Sequence, residues 1–130
     1  MKYTKYFFQF LITLFCFSIF KILGPKVSSN LAGKIFEIIG PIFRSKKIIY
    51  SNIRNAIPNI ETNHLHKITK KMWNNYGRVF AEYVFIKDYR NGKLASKIEI
   101  YGQEVLEEII QKNKQVVFIS GHFGNFELMA

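Results

Sequence analysis

Val116-Val117-Phe118-Ile119-Ser120-Gly121-His122-Phe123-Gly124-Asn125-Phe126-Glu127 is the stretch on which the fold reading turns. An apolar run of strand character ends in a glycine, a histidine follows at once, and a carboxylate comes five positions later. Strand residues bounded by Gly and Asn, with a new helix opening near Phe126, read as one edge of an α/β unit. In such sheets ligands gather beyond the carboxyl ends of strands, where His122 falls. Gly121 and Gly124 flank it and allow the backbone to turn and a substrate to approach closely.

Upstream of that strand the pattern repeats its grammar. Lys97-Ile98-Glu99-Ile100-Tyr101 alternates with period two and ends at Gly102. Gln103 to Gln111 reads as a short helix with Val105, Leu106, Ile109 and Ile110 on one side, and Lys112-Asn113-Lys114 is a polar stop. Strand, helix, strand and a beginning helix predict an α/β fold over 97–130.

The preceding 96 positions have helical period. Thr62 to Ile86 carries a stripe of Leu65, Ile68, Met72, Tyr76, Val79, Phe80 and Tyr83, with Thr62 or Asn63 placed to cap its start. Lys46 to Ile57 repeats isoleucine at 49, 53 and 57 before Pro58. Ser29 to Phe43 has Leu31, Ile35, Ile38, Ile39 and Ile42 at three- and four-residue steps, which predicts an amphipathic helix packed by those residues. His64 and His66 are two apart and share no helix face, so they read as surface histidines rather than a metal pair.

Phe7 to Phe20 is apolar except for Gln9, Thr13 and Ser18, with Lys2 and Lys5 before it and Lys21 after it. Three readings compete: a signal peptide, a short or tilted span with Lys21 reaching the interface, and a helix lying in the membrane surface. No small-residue cleavage site follows, which favours an uncleaved anchor and leaves spanning and interfacial insertion both open. The expected organisation is an anchor helix over 1–24, a helical region over 25–96 and an incomplete α/β start over 97–130.

Composition narrows the function classes. The 130 residues are 48% hydrophobic and 22% charged, which excludes disorder. Thirteen phenylalanines favour a thick aromatic core or contact with lipid. The net charge of +10 is uneven. Residues 1–60 hold nine Lys/Arg against Glu37 alone, whereas residues 98–130 hold Lys112 and Lys114 against five acids. A basic half beside an apolar segment suits an anionic membrane surface better than nucleic acid, for which no binding pattern is present. Cys16, the single cysteine, sits in the apolar stretch and has no polar neighbours to hold a thiolate.

An imidazole with a carboxylate folded back on it is the apparatus for taking a proton from a hydroxyl. Here Glu127 would fix the tautomer of His122 and balance its charge, and the amides at Gly124 to Phe126 would face developing negative charge. Taken alone, the spacing fits equally a loop histidine and a glutamate at a helix start.

The surrounding residues go further. Val116 to Leu128 resembles the first signature of the lipid A biosynthesis acyltransferases, the lauroyl/myristoyl transferases, with Phe126 where Trp is commoner. Asn52-Ile53-Arg54-Asn55-Ala56-Ile57-Pro58, Asn75-Tyr76-Gly77-Arg78 with Glu82, and Ile98 to Glu104 resemble further segments of that family, in order. The resemblance covers the N-terminal part of the family's length. It implies N-terminal membrane helices followed by the first strand–helix–strand units of a glycerolipid-acyltransferase-like sheet. It implies transfer of an acyl chain from acyl carrier protein to a hydroxyl of the lipid A precursor, at the cytoplasmic face of the inner membrane. His122 would be the general base, Glu127 its orienting carboxylate, and Gly121, Gly124 and Asn125 substrate-contacting. The thioester donor is a co-substrate, and no metal or other cofactor is implied. Membrane lipid, acyl carrier protein and the lipid A precursor are the expected partners. Members of the family continue past Ala130, so the chain by itself is expected to be inactive, poorly soluble, or a fragment of a split or degraded gene. A small membrane-anchored protein without catalysis, binding lipid or a partner, is the competing class.

Overall fold

The computed structural model describes residues 2–117, 119, 121, 124, 125 and 128. They fall into two compact units, residues 1–85 and 86–130.

The first unit is helical. α1 runs Lys2–Phe43, α2 Lys46–Ala56 and α3 Thr62–Glu82, and a 3-10 turn over Tyr83–Phe85 closes it. α1 is two helices joined at a kink. Gly24 has φ 77° and ψ 167°, outside the helical region, and Pro25 removes a backbone donor and crowds the preceding turn. The Ser28 hydroxyl donates to the Gly24 carbonyl at 2.6 Å and satisfies the exposed acceptor at the break. The bend is large. The Phe17 and Phe36 rings both lie on Phe80, at 5.4 and 5.8 Å between centroids. They are thus within about 11 Å of each other, whereas an unbroken helix would separate residues 17 and 36 by about 28 Å.

The second half of α1 runs antiparallel to α3, and the packing inverts the expectation drawn from its isoleucines. Ser28, Ser29, Ala32, Gly33 and Gly40 are buried, while Ile38 and Ile42 are 78% and 82% exposed. On α3 the buried positions are Leu65, Thr69, Trp73, Gly77 and Ala81. Hydrophobic period located the helix correctly but picked the wrong face. Small residues permit an approach so close that a Cβ on Gly77 would sit 2.3 Å from the Ala32 carbonyl oxygen, and one on Gly40 2.3 Å from the Trp73 ring. The start of α3 also differs from expectation: Glu61 occupies the cap position, and no side chain caps it.

The second unit comprises α4 (Ile86–Asn91), a 3-10 turn over Ala95–Lys97 and α5 (Gln103–Gln111). α5 has the predicted bounds, and Gly102, with φ 80°, stands at its start. The α/β expectation is overturned: among the described residues there is no strand and no sheet. Ile98–Tyr101 is irregular, and so are 115–117 and 119; Phe118 and Ser120 lie outside the described residues. Alternation survives locally, since the Tyr101 hydroxyl donates to Glu99 at 2.5 Å, two residues along one side of an extended chain. A strand needs a neighbour to take its N–H and C=O groups, and side-chain alternation names a face without supplying that neighbour.

Candidate functional site

His122 and Glu127, the expected base and its orienting carboxylate, lie outside the described residues. Gly121, Gly124 and Asn125 are described. Gly121 is exposed and outside any regular element. Gly124 has φ +55°, and a Cβ built there meets nothing within 4 Å. Glycine is therefore favoured at 124 by backbone conformation, with no steric need for a bare Cα. The Leu128 N–H donates to the Asn125 carbonyl at 3.2 Å, closing a single turn. Asn125 is half-buried.

In the first unit, polar groups line the seam between α1 and α3, and sequence reasoning assigned none of them. The Ser29 hydroxyl donates to the Glu82 carboxylate at 2.8 Å, and Arg78 donates to the Asn30 side-chain oxygen at 2.7 Å. Glu37 accepts from the Asn74 amide at 2.7 Å. Lys70 lies 3.3 Å and Lys34 4.0 Å from the same carboxylate. Desolvation pushes the Glu37 pKa up. The hydrogen bonds from Asn74 and Lys70 and the charges of Lys34 and Lys70 outweigh it and hold the carboxyl below its ordinary value. Gly77, Arg78 and Glu82, noted for their resemblance to the family pattern, thus serve helix pairing. The legible signal was the four-residue recurrence of small residues, Ser29 to Gly33 and Gly77 to Ala81, which marks close helix contact.

The opening of α1 is displayed outward. α1 is long and apolar enough to cross a membrane, and only 6% of its most apolar window is buried. At 1.5 Å per residue, residues 2–23 rise about 33 Å, close to the hydrocarbon thickness of roughly 30 Å. Lys21 marks the end of this segment, with its Nζ 5.2 Å from the centroid of the Phe85 ring. On the other helices, Tyr50 and His66 meet at 2.8 Å between the hydroxyl and Nδ1.

A helical unit that opens on a long exposed apolar helix, with basic residues concentrated in positions 1–60, suits a membrane surface. The family pattern described as bacterial lipid A biosynthesis acyltransferase matches residues 1–130, and the chain belongs to that family. Searches among curated proteins and among solved structures returned no match.

Proposed function

We propose that this chain contributes to acyl transfer onto a lipid A precursor from acyl carrier protein, with His122 as general base. The family match over residues 1–130 carries the reading, and the placement of Gly121-His122-Phe123-Gly124-Asn125-Phe126-Glu127 within it supports the assignment of roles. His122 takes the proton of an acceptor hydroxyl. The oxygen attacks the thioester carbon, an ester C–O bond forms, the C–S bond breaks, and the carrier thiol leaves with a proton. Glu127 holds the imidazole in the productive tautomer and stabilises its cation. The thioester is itself the electrophile, so the step calls on no metal or redox group. In this reading the backbone amides of Gly124 and Asn125 serve the oxyanion. The exposed apolar start of α1 and the basic residues 1–60 support a location at the cytoplasmic face of the inner membrane.

The test is acyl transfer by the protein as its gene encodes it, in detergent micelles, with acyl carrier thioester and a lipid A precursor, read as the mass gained by the acceptor. Transfer abolished by His122→Ala supports the reading. Transfer that His122→Ala leaves intact refutes the assigned base, and no transfer at all favours a non-catalytic lipid-binding role.

A further inference from the structure

The α1–α3 pair meets largely through small and polar residues, around one large ring, Trp73. Its seam holds small residues and hydrogen-bonded polar pairs: Gly33, Gly40 and Gly77 approach within contact of the opposite helix, and Ser29–Glu82 and Asn74–Glu37 bond across it. Phe20, Leu65 and Trp73 are buried, but most other large apolar residues of the pair are exposed or half-exposed. On α3 and at the start of the turn after it, the exposed apolar residues are Ile68, Tyr76 and Tyr83, at 37%, 57% and 41%. Met72 and Val79 are half-exposed between them. At 100° per residue all five fall within an arc of about 80°, one continuous stripe along the helix. Exposed Lys67 and Lys71 lie off that arc. Water favours the opposite arrangement, whereas in lipid, helices pair through small and polar residues and leave large apolar side chains outside. An amphipathic helix with aromatic residues on one face and lysines on the other is also the pattern of a helix lying in the headgroup layer.

We infer that the outer stripe of α3 and the first residue after it, Ile68–Met72–Tyr76–Val79–Tyr83, rests in the headgroup layer of an anionic bilayer. The chain thus holds the membrane at two places, the first half of α1 and this stripe. Three observations choose the bilayer as the occupant. Phe80, about 40° beyond the edge of the stripe, packs on Phe17 and Phe20 at 5.4 and 6.0 Å and brings the stripe beside the lipid-suited segment of α1. Lys21, where that segment ends, sits over Phe85 at the end of the 3-10 turn that follows α3. A lysine at the end of an apolar helix lies at the lipid–water boundary, so the C-terminal end of α3 is brought to the same depth. The charge is complementary, since the lysines beside the stripe meet anionic headgroups. Tyrosines at both 76 and 83 suit this layer, each presenting an apolar ring and a polar hydroxyl. The inference rests on the reading that the chain works at a membrane, and it concerns depth, which the acyl-transfer assay in micelles does not measure.

Depth is read by site-directed labelling of the full chain in a Cys16→Ser background. Single variants Tyr76→Cys, Tyr83→Cys and Lys67→Cys carry an environment-sensitive fluorophore and are reconstituted into vesicles of phosphatidylethanolamine and phosphatidylglycerol containing a shallow nitroxide-lipid quencher. The expected result is several-fold stronger quenching at 76 and 83 than at 67. Equal quenching at all three positions overturns the inference. Labels at 76 and 83 that are shielded from aqueous quencher, untouched by lipid quencher and self-quenched also overturn it, in favour of a second copy of the chain on that stripe. Ile68→Cys gives the same reading where Tyr83→Cys disturbs the helix end, and helicity by circular dichroism checks each variant.

Discussion

Gly77→Ala tests the α1–α3 seam with one methyl group. A Cβ at 77 would lie 2.3 Å from the Ala32 carbonyl oxygen, 2.7 Å from its carbon and 2.8 Å from the Phe36 Cβ. Two effects oppose each other. Alanine gains about 1 kcal/mol over glycine inside a helix. Overpacking a close contact costs typically 1–3 kcal/mol. The obstruction here is backbone on the facing helix, so no side chain swings aside and the helices must part by about 1 Å. Parting stretches Arg78–Asn30 and Asn74–Glu37, which flank the contact, each at 2.7 Å. The overpacking term therefore lies at the top of its range, and the net loss is about 2 kcal/mol. For a unit of this size that lowers Tm by on the order of 10 °C. Thermal unfolding followed at 222 nm in a mild detergent measures it, with Lys71→Ala, on the exposed side of α3, as the control expected to leave Tm within a few degrees. A Gly77→Ala chain as stable as the unaltered one, or more so, refutes the close seam, because propensity alone then decides the outcome.

Three further outcomes follow from particular groups. Glu37 has a folded pKa below its ordinary value, so its contribution is whole at neutral pH and is lost as pH falls from the ordinary carboxylate range through the lower folded value. Glu37→Gln should therefore be less stable than the parent at pH 7, and the two unfolding curves should converge in acid; a gap that widens as pH falls contradicts the assignment. Gly124→Ala places a Cβ at φ +55° in open space, a strain of about 1–2 kcal/mol without a clash, whereas Gly124→Asn tolerates that backbone. Acyl transfer by the encoded protein should fall with Ala and recover with Asn, and equal loss in both would point to contact rather than conformation. Lys21→Glu replaces the cation over Phe85 and should lower the fraction of chain retained on anionic vesicles in flotation, while retention equal to the parent would remove Lys21 from the boundary.

The helices were legible because their signals are local. Lys46–Ala56, Thr62–Glu82 and Gln103–Gln111 stand within a few residues of where hydrophobic period and breakers place them. Gly24-Pro25 announced the break in α1 for the same reason: glycine's freedom and proline's missing donor act on their own backbone. The face on which a helix packs is not local. Ile35, Ile38 and Ile42 share a face as cleanly as any core stripe, yet Ser29, Ala32 and Gly33 meet α3, because close approach there is set by what Gly77 and Trp73 present from forty residues away. The expected strands failed similarly, since alternation at 97–101 and 115–120 describes side chains whereas a sheet is made by pairing backbones.

For the site, residue identity carried what could be read. Gly121, His122, Gly124, Asn125 and Glu127 were picked out by type and spacing, and the family match covers them. Tertiary structure added what spacing cannot express: the anion at Glu37 held by Asn74 and Lys70, and the aromatic cluster that ties Phe17, Phe20 and Phe36 to Phe80. By itself the sequence determined where helices begin and break, the apolar character of the first segment, the charge asymmetry and the family. Only the folded chain decided that Ser29, Ala32, Gly33 and Gly40 face inward on α1 while Ile38 and Ile42 face outward. That choice depends on the surfaces two distant segments offer each other and on the solvent around them, neither of which is written in either segment alone.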